Sequence, residues 1–291
     1  MSAATFRLGG DLEVKRMGYG AMRLCGQPGN FGPYPDWSAG IALIRRAVEL
    51  GVNFFDTAHA YGPGWNESLL GEALSPFKAS VVIATKGGVE KSAADKVFPD
   101  ARPETLRLRC EESLTRLQVE RIALYQLHRP DPAVPFSDSI GALAQLQAEG
   151  KILHIGLSNV GIEQIEVART MVQVVSVQNR YNFLEREDES VLQHCAKHGI
   201  AYLPWGPLAA KPFAPEAPLT CEARLSATAA TLGLTPGQLA LAWLLHHSPN
   251  ILLIPGTTSV KHMEENMRAA TVGPESIRLL NEFNPEAVKA R

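Results

Sequence analysis

VNFFDTAHAYGPGWNESLLGEALSPFKASVVIATKG (residues 52–87) contains the unit that repeats along this chain. It opens with an apolar run at 52–58, continues with an amphipathic stretch at 66–75, and returns to an apolar run at 81–87. Short apolar runs that lack polar alternation are typical of parallel strands covered on both faces. The stretch therefore predicts a strand, a helix and a second strand parallel to the first.

The same alternation extends over most of the 291 residues. Eight apolar runs are predicted as strands: 17–24, 52–58, 81–87, 122–128, 152–158, 174–181, 200–206 and 251–257. Eight amphipathic stretches are predicted as helices: 38–50, 66–75, 103–117, 137–149, 161–170, 187–198, 235–247 and 259–270. No linker divides the chain, so we expect one domain over residues 1–291.

Strict strand–helix alternation leaves two main architectures, a doubly wound open sheet and a closed barrel. A dinucleotide-binding open sheet would need G-x-G-x-x-G after the first strand, but the early pair Gly9-Gly10 opens no helix. Eight repeats and a length near the roughly 250 residues of a typical barrel favour closure. We therefore predict an α/β fold, a (β/α)₈ TIM barrel with an N-terminal β-hairpin that caps its bottom. The Pro-rich stretch 204–218 is expected to be a long functional loop.

The composition excludes several classes of protein. Hydrophobic residues make up 45% and charged residues 20%, as in a globular rather than a disordered chain. A net charge of −2 gives no general electrostatic basis for binding nucleic acid or an anionic membrane. The four cysteines form no Cys-x-x-Cys pair, and no secretory or transmembrane run is visible, which predicts a cytoplasmic protein. We expect a monomer or a weak homo-oligomer.

Polar groups follow the apolar residues at the C-terminal ends of the predicted strands, where a barrel places its active site. Asp56 ends the second strand, and Tyr61 lies in the loop after it. Lys86 ends the third strand and His128 ends the fourth. Because neighbouring strand ends lie about 4.8 Å apart in a sheet, these side chains are predicted to form one site.

The same residues belong to motifs that resemble those of the aldo-keto reductase superfamily. The motifs occur in family order: GAMRL (20–24), DTAHAYGPGWNE (56–67), ATKGG (84–88), LYQLHRPD (124–131), IGLSN (155–159), QNRYN (178–182) and IPGTTSVKHMEEN (254–266). The resemblance implies a (β/α)₈ barrel, NADPH-dependent reduction of aldehydes or ketones, and a catalytic tetrad of Asp56, Tyr61, Lys86 and His128. The first and last motifs resemble a bacterial and fungal branch that includes pyridoxal reductases, which implies a small aromatic or phosphate-free aldehyde.

The chemistry of carbonyl reduction fits these four residues. Reduction needs a hydride at carbon and a proton at oxygen. A free tyrosine has a pKa of about 10, and a Lys86 ammonium beside Tyr61 should lower that pKa. Asp56 is expected to hold Lys86 charged and aimed. His128 is expected to donate a hydrogen bond to the carbonyl oxygen or to share in proton delivery.

The resemblance places the nicotinamide at the ends of the fifth to seventh strands. Ser158, Asn159 and Gln178 are implied to bind the carboxamide, and Trp205 to stack on the ring. Gly206 stands where the family usually has a serine, so the resemblance does not imply that side-chain contact to the pyrophosphate, for which backbone amides could substitute. The other residues expected at this part of the cofactor are Gly20, Met22, Arg23, Asp56, Pro207, Leu208 and Ile254.

The last strand and helix are predicted to bind a phosphate. Gly256 permits close backbone approach, hydroxyl side chains follow it, and a helix N-terminus points amides outward. An ordinary N-cap is the alternative. Many family members have lysine where Gly256 stands and arginine where His262 stands, so NADPH is expected but a tight preference over NADH is not implied. The residues implied to contact the adenosine half are Thr257, Thr258, His262, Glu265 and Asn266.

Substrate-binding residues are expected in the loops after the first, second and fourth strands: Met22, Phe31, Trp65 and Arg129. Arg129 would pair with an anionic group of the substrate or, equally, with Asp131. His59 is expected to be a spacer or rim residue. The histidines expected only at the surface or in packing are His154, His194, His198, His246 and His247. No zinc-ligand spacing is apparent, so no metal site is expected.

Three other functions use the same residues. A cofactor-binding regulatory subunit with vestigial activity would have no need of an intact tetrad. An alcohol dehydrogenase working in the oxidising direction would share all of the chemistry. A Schiff-base enzyme would require Lys86 to be neutral, which Asp56 opposes.

Overall fold

A computed structural model describes residues 4–209 and 223–281. The strands are β1 (Thr5–Leu8), β2 (Leu12–Lys15), β3 (Tyr19–Gly20), β4 (Phe54–Asp56), β5 (Val82–Gly87), β6 (Val89–Ala93), β7 (Lys96–Pro99), β8 (Ile122–Leu127), β9 (Ile152–Ser158), β10 (Val174–Gln178) and β11 (Ala201–Tyr202). The helices are α1 (Trp37–Glu49), α2 (Trp65–Leu74), α3 (Pro103–Leu117), α4 (Phe136–Ala148), α5 (Ile162–Arg169), α6 (Glu189–Lys197), α7 (Ala223–Thr231), α8 (Pro236–His247), α9 (Val260–Arg268) and α10 (Pro274–Asn281).

The central sheet is parallel and closes on itself. Seven of the described strands pair in the order β11-β10-β9-β8-β5-β4-β3. The eighth predicted strand is represented by bridges from Leu253 to Met17 and from Ile251 to Tyr202, which join the two sheet edges. The predicted (β/α)₈ barrel is confirmed, although regular pairing at this seam is shorter than the apolar runs in the sequence.

The N-terminal hairpin closes the bottom of the barrel, as predicted. β1 and β2 pair antiparallel, and Leu8 and Val14 are fully buried. They belong to the barrel's interior cluster, together with residues from the starts of the barrel strands such as Phe54, Val82 and Leu124. The hairpin turn is tied to β9, because His154 Nε2 lies 2.7 Å from Asp11 Oδ1.

A larger apolar cluster fills the layer between the barrel and its helices. Helix starts follow their sequence signals. The Asp36 side chain accepts a hydrogen bond from the Ala39 amide at the start of α1. Thr235 and Gln238 form a capping box at the start of α8.

Four of the described strands and helices are absent from the sequence prediction: β6 and β7, which form a hairpin, and the helices α7 and α10. The hairpin strands VEKSA and KVFP are short and polar, and their register shifts between Lys91 and Ala93, so they carry no strict period of two. Most of the Pro-rich stretch 204–218 lies outside the described residues. Within residues 4–209 and 223–281, no helix has the length and apolar character needed to span a membrane.

Candidate active site

The predicted tetrad meets at the C-terminal end of the barrel. Lys86 is the penultimate residue of β5 and its side chain is fully buried; its Nζ donates to Asp56 Oδ2 at 2.7 Å and to the Thr57 carbonyl at 2.8 Å. The same Nζ lies 3.4 Å from the Tyr61 hydroxyl. Adjacent parallel strands thus bring a cation, its counter-ion and a phenol to one point.

Burial and charge oppose each other at Lys86 and Tyr61. Burial lowers the pKa of Lys86, but the Asp56 carboxylate and Tyr61 raise it more, so the pKa lies above its ordinary value and the amine stays protonated. Burial also raises the pKa of Tyr61, and the opposing effect of Lys86 is smaller. Lys86 thus lowers the pKa of Tyr61, as predicted, but burial of the phenol raises it more, so the pKa lies above its ordinary value.

His128 stands beside Tyr61 at the end of β8. The two rings are 5.8 Å apart between centroids in an edge-to-face arrangement. Burial, followed by the charges of Lys86 and Arg129, holds the pKa of His128 well below its ordinary value of 6.5. Its Nδ1 is buried and makes no hydrogen bond to the described residues. The imidazole is therefore neutral at neutral pH and has hydrogen-bonding capacity that residues 4–209 and 223–281 leave unused.

Two glutamines fix the Asp56 carboxylate. Gln126 Nε2 and Gln178 Nε2 donate to Asp56 Oδ1 at 3.2 and 2.9 Å. From the sequence, Gln178 is predicted to contact the nicotinamide, and Gln126 has no predicted role. The sequence does indicate a place for Gln126 in the site, because it is a polar residue in an apolar strand and lies two positions before His128, on the same face.

A cavity of about 470 Å³ opens beside these residues. Its lining contains Tyr61 and His128, and it includes most of the residues assigned to the cofactor: Gly20, Met22, Arg23, Asp56, Ser158, Asn159, Gln178, Trp205, Gly206, Pro207, Leu208, Ile254 and Gly256. An elongated ligand that reaches the tetrad can therefore contact the ends of most barrel strands.

Asn159 organises the wall predicted to hold the nicotinamide. Its backbone has φ 58°, in the left-handed region. Its Nδ2 donates to the His128 carbonyl at 3.0 Å and to Ser158 Oγ at 2.9 Å, and its Oδ1 accepts from Trp205 Nε1 at 3.2 Å. The Arg180 guanidinium lies 5.0 Å from the centre of the Trp205 ring. Three strand ends and the indole are thus joined in one network.

The seam between β3 and the eighth strand is built for close backbone approach. A Cβ on Gly20 would lie 2.4 Å from the Ile254 carbonyl oxygen, and a Cβ on Gly256 would lie 2.7 Å from the Gly20 carbonyl oxygen. A lysine at position 256, as in many family members, would therefore force these backbones apart. Gly206 has φ 67°, which also disfavours a side chain.

The segment predicted to bind the adenosine half lies outside the cavity lining. The Tyr19 hydroxyl donates to the Thr257 carbonyl at 2.7 Å, and Thr257 Oγ1 accepts from the Ser259 amide at 3.0 Å. Ser259 in turn caps α9 by accepting from the His262 amide. Thr257 is buried and Thr258 and His262 are exposed. Ser259 thus caps α9, the hydroxyl hydrogens of the segment can still donate, and phosphate binding here stays a prediction.

The expected substrate residues separate into two groups. Met22 and Arg129 line the cavity. Phe31 and Trp65 lie outside the lining and are 40% and 49% exposed, with the Trp65 ring against Trp37. Residues without a predicted role complete the wall instead: Asn30, Ala60, Val89, Lys91 and Val97. Three of them belong to the β6–β7 hairpin, whose position is a property of the tertiary fold.

His59 is expected from the sequence to be a spacer or a rim residue; it is buried, so it does not lie at the rim. Its Nδ1 lies 3.0 Å from Arg116 Nη2, and its Nε2 lies 3.7 Å from Glu90 Oε1. Arg116 of α3 also donates to the fully buried Glu67 at 2.8 Å. This buried ionic network connects α2, α3 and β6 to the loop that carries Tyr61.

Comparison with known proteins gives a family that covers most of this chain. The model of the aldo/keto reductase family matches residues 16–284. An uncharacterized oxidoreductase of Schizosaccharomyces pombe is 43% identical over 263 residues, covering 90% of this chain and 84% of its own. Pyridoxine 4-dehydrogenase of Escherichia coli is 42% identical over 275 residues, covering 92% and 93%.

Solved structures show the same fold. An aldo-keto reductase from Klebsiella pneumoniae in complex with NADPH is 27% identical, with a TM-score of 0.81 over 98% of this chain and 96% of that one. Glycerol dehydrogenase from Gluconobacter oxydans is 26% identical, with a TM-score of 0.84 over 97% and 95%.

Proposed function

The chain belongs to the aldo/keto reductase family and is an NADP(H)-dependent oxidoreductase, and we propose that it reduces an aldehyde or ketone with Tyr61 as the proton donor. One observation carries the proposal: Lys86 Nζ lies between Asp56 and the Tyr61 hydroxyl, and Tyr61 lines the cavity together with His128. Burying an ion pair such as Lys86–Asp56 costs desolvation free energy that an apolar pair would not, so a role in the reaction explains the pair better than stability does.

NADPH supplies hydride to the carbonyl carbon when it is bound. The residues that would hold its nicotinamide are Ser158, Asn159 and Gln178, with Trp205 against the ring. Because the amide nitrogen of Gln178 donates to Asp56, its oxygen is the group left to accept from the carboxamide. Arg23, which lines the cavity, is the cation proposed for the pyrophosphate. Thr257, Thr258, His262, Glu265 and Asn266 remain the proposed contacts of the adenosine half.

Tyr61 and His128 would stabilise the oxygen of the substrate. A buried phenol with a raised pKa stays protonated, so it is available to donate at neutral pH. The Lys86 ammonium stabilises the phenolate left when the proton moves to substrate, and Asp56 keeps that ammonium charged. A neutral imidazole with an unpartnered, buried Nδ1 favours the tautomer with hydrogen on Nε2, which can donate into the cavity.

The proposed substrate is a small aromatic aldehyde such as pyridoxal. Two observations support it. The chain is 42% identical to a pyridoxine 4-dehydrogenase over nearly the full length of both proteins. The cavity wall beyond the tetrad is largely apolar, with Val89 and Val97, and carries cations at Lys91 and Arg129, which could bind a ring substituent of negative charge.

The test is the rate of cofactor consumption with an aldehyde panel that includes pyridoxal, using NADPH and NADH. Tyr61→Phe should reduce kcat by about 10²–10⁴-fold while leaving NADPH binding unchanged. The matched control is Tyr34→Phe, since Tyr34 does not line the cavity. Wild-type turnover should favour NADPH.

Unchanged kcat in Tyr61→Phe would overturn the assignment of the proton donor. Binding of NADPH without reduction of any aldehyde would direct attention to the oxidising direction, tested with pyridoxine and glycerol and NADP⁺. That direction is named for two of the similar proteins. Failure in both directions would favour a cofactor-binding regulatory role.

A further inference from the structure

Two histidines and a glutamate outside the active site form a cluster with the geometry of a metal site. His194 lies in the last turn of α6, and His198 directly follows that helix. Residues four apart lie on the same side of a helix, and the two imidazole rings are 4.7 Å apart between centroids. Glu166 of α5 faces them, with its Oε1 2.8 Å from His194 Nε2.

One ligand atom from each of these three residues lies within 4.8 Å of the other two. This spacing allows all three to contact one ion after small side-chain rotations, because metal–ligand distances are about 2.0–2.2 Å for imidazole nitrogen and carboxylate oxygen. Glu166 and His198 are exposed and His194 is half-buried, so solvent can supply an ion. We propose that Glu166, His194 and His198 bind a divalent transition-metal ion, of which Zn²⁺ is the representative.

The ligand types select the class of metal. Two imidazoles with one carboxylate suit Zn²⁺, Co²⁺, Ni²⁺ or Cu²⁺, whereas Mg²⁺ and Ca²⁺ prefer sets made of oxygen. Three protein ligands leave one position of a tetrahedral ion for water.

The Arg169 guanidinium lies against Glu166 and His198, which shows that the cluster attracts a cation. It donates to Glu166 Oε1 and, at 3.0 Å, to His198 Nδ1. Because arginine can only donate, Nδ1 of His198 must present its lone pair toward the cluster. A metal ion would take the lone pairs that Arg169 now contacts, and His194 would release any proton on its ligating nitrogen to solvent.

The cluster is remote from the catalytic cavity. Arg169 and His198 line a second cavity of about 460 Å³ that also contains Gly9, Gly10 and Ile200. Gly9 and Gly10 form the turn of the N-terminal hairpin, and Ile200 directly precedes β11, so this cavity lies at the bottom of the barrel. A bound ion would therefore join α5 to α6 and stabilise the fold without entering the reductase site.

The test is metal binding to the full chain, stripped with a chelator and freed of any histidine tag. Calorimetry with Zn²⁺ should give one site per chain, Co²⁺ should give the visible absorption of a tetrahedral complex, and Mg²⁺ should not bind. His194→Asn and His198→Asn should each weaken Zn²⁺ binding at least about tenfold, the least that loss of an outer-sphere partner causes. The matched control is His246→Asn, because among the described contacts the His246 ring only donates to the Val272 carbonyl, and this variant should bind Zn²⁺ as the wild type does.

Arg169→Gln provides a second, independent measurement. It removes the competing cation and should tighten Zn²⁺ binding, with unfolding in chelator showing that the variant is folded. Zn²⁺ should also raise the midpoint of thermal unfolding of the wild type but not of His194→Asn. Absence of Zn²⁺ binding to the wild type, or wild-type affinity in either histidine variant, would overturn the site. Weaker binding in Arg169→Gln would overturn the displacement of Arg169.

Discussion

At the scale of single residues, the environment decides which protonation state each group of the tetrad holds. Lys86 is kept charged by Asp56 against the effect of burial, whereas Tyr61 and His128 are kept neutral by burial. A charged group and two neutral donors at one point are what stabilisation of a developing alkoxide requires. Sequence reasoning named the groups, but burial of the folded site determined their states.

The lowered pKa of His128 predicts how the free energy of unfolding changes at acidic pH. In the unfolded chain its pKa is about 6.5, and in the folded protein it lies well below that value. Below about pH 6.5 the unfolded state therefore binds more protons, so the free energy of unfolding falls as pH falls, by at most about 1.4 kcal/mol per pH unit from this residue.

The measurement is urea unfolding of wild type and His128→Asn between pH 7 and pH 5. The variant should show a shallower loss of stability on acidification, while the exposed His262→Asn should follow the wild type. Identical slopes for wild type and His128→Asn would mean that His128 titrates normally in the folded protein.

At the scale of elements, side-chain contacts from α3 support the loop that carries Tyr61. Arg116 of α3 contacts both His59, two residues before Tyr61, and Glu67 of α2. Thr85, which precedes Lys86, donates to the same Glu67 at 2.5 Å. Because Glu67 is fully buried, it depends on these partners for compensation.

Arg116→Met should therefore destabilise the protein by about 3–5 kcal/mol, because it leaves the Glu67 carboxylate buried without its cation. It should also lower turnover, since the Tyr61 loop loses its support. The control on the same helix is Arg107→Met, whose ion pair with Glu149 is partly exposed and should contribute little. Urea unfolding and initial rates measure the two effects; equal stabilities of the two variants would show that Arg116 has no special role.

At the scale of the whole molecule, closure of the barrel depends on glycine at one seam. Gly20 approaches the Ile254 carbonyl so closely that a Cβ would lie 2.4 Å from its oxygen. Gly20→Ala should destabilise the fold by about 1–3 kcal/mol, as overpacking does, and should weaken NADPH binding because Gly20 also lines the cavity.

Thermal unfolding and fluorescence titration with NADPH check this expectation. Gly273→Ala is the control, since a Cβ there would meet nothing within 4 Å. If Gly20→Ala is as stable as the control, the backbones of Gly20 and Ile254 can move apart without loss of folding free energy.

The barrel and the tetrad could be predicted from the sequence because both depend on local patterns. Apolar runs of strand length alternate with amphipathic stretches, and a parallel barrel brings the ends of successive strands together, so Asp56, Lys86 and His128 had to be neighbours. The N-terminal hairpin followed from its turn glycines. These features need no knowledge of which distant segments meet.

Only the tertiary structure determined contacts between segments that lack such a pattern. The β6–β7 hairpin, instead of Phe31 and Trp65, forms part of the cavity wall, and burial places His59 in an ionic network. Glu166 reaches His194 and His198 because two consecutive helices pack side by side, which the spacing along the chain does not reveal. Local conformational preferences determine the helices and strands. The burial of a side chain, its pKa and its contacts with distant residues depend on the packing of the entire chain.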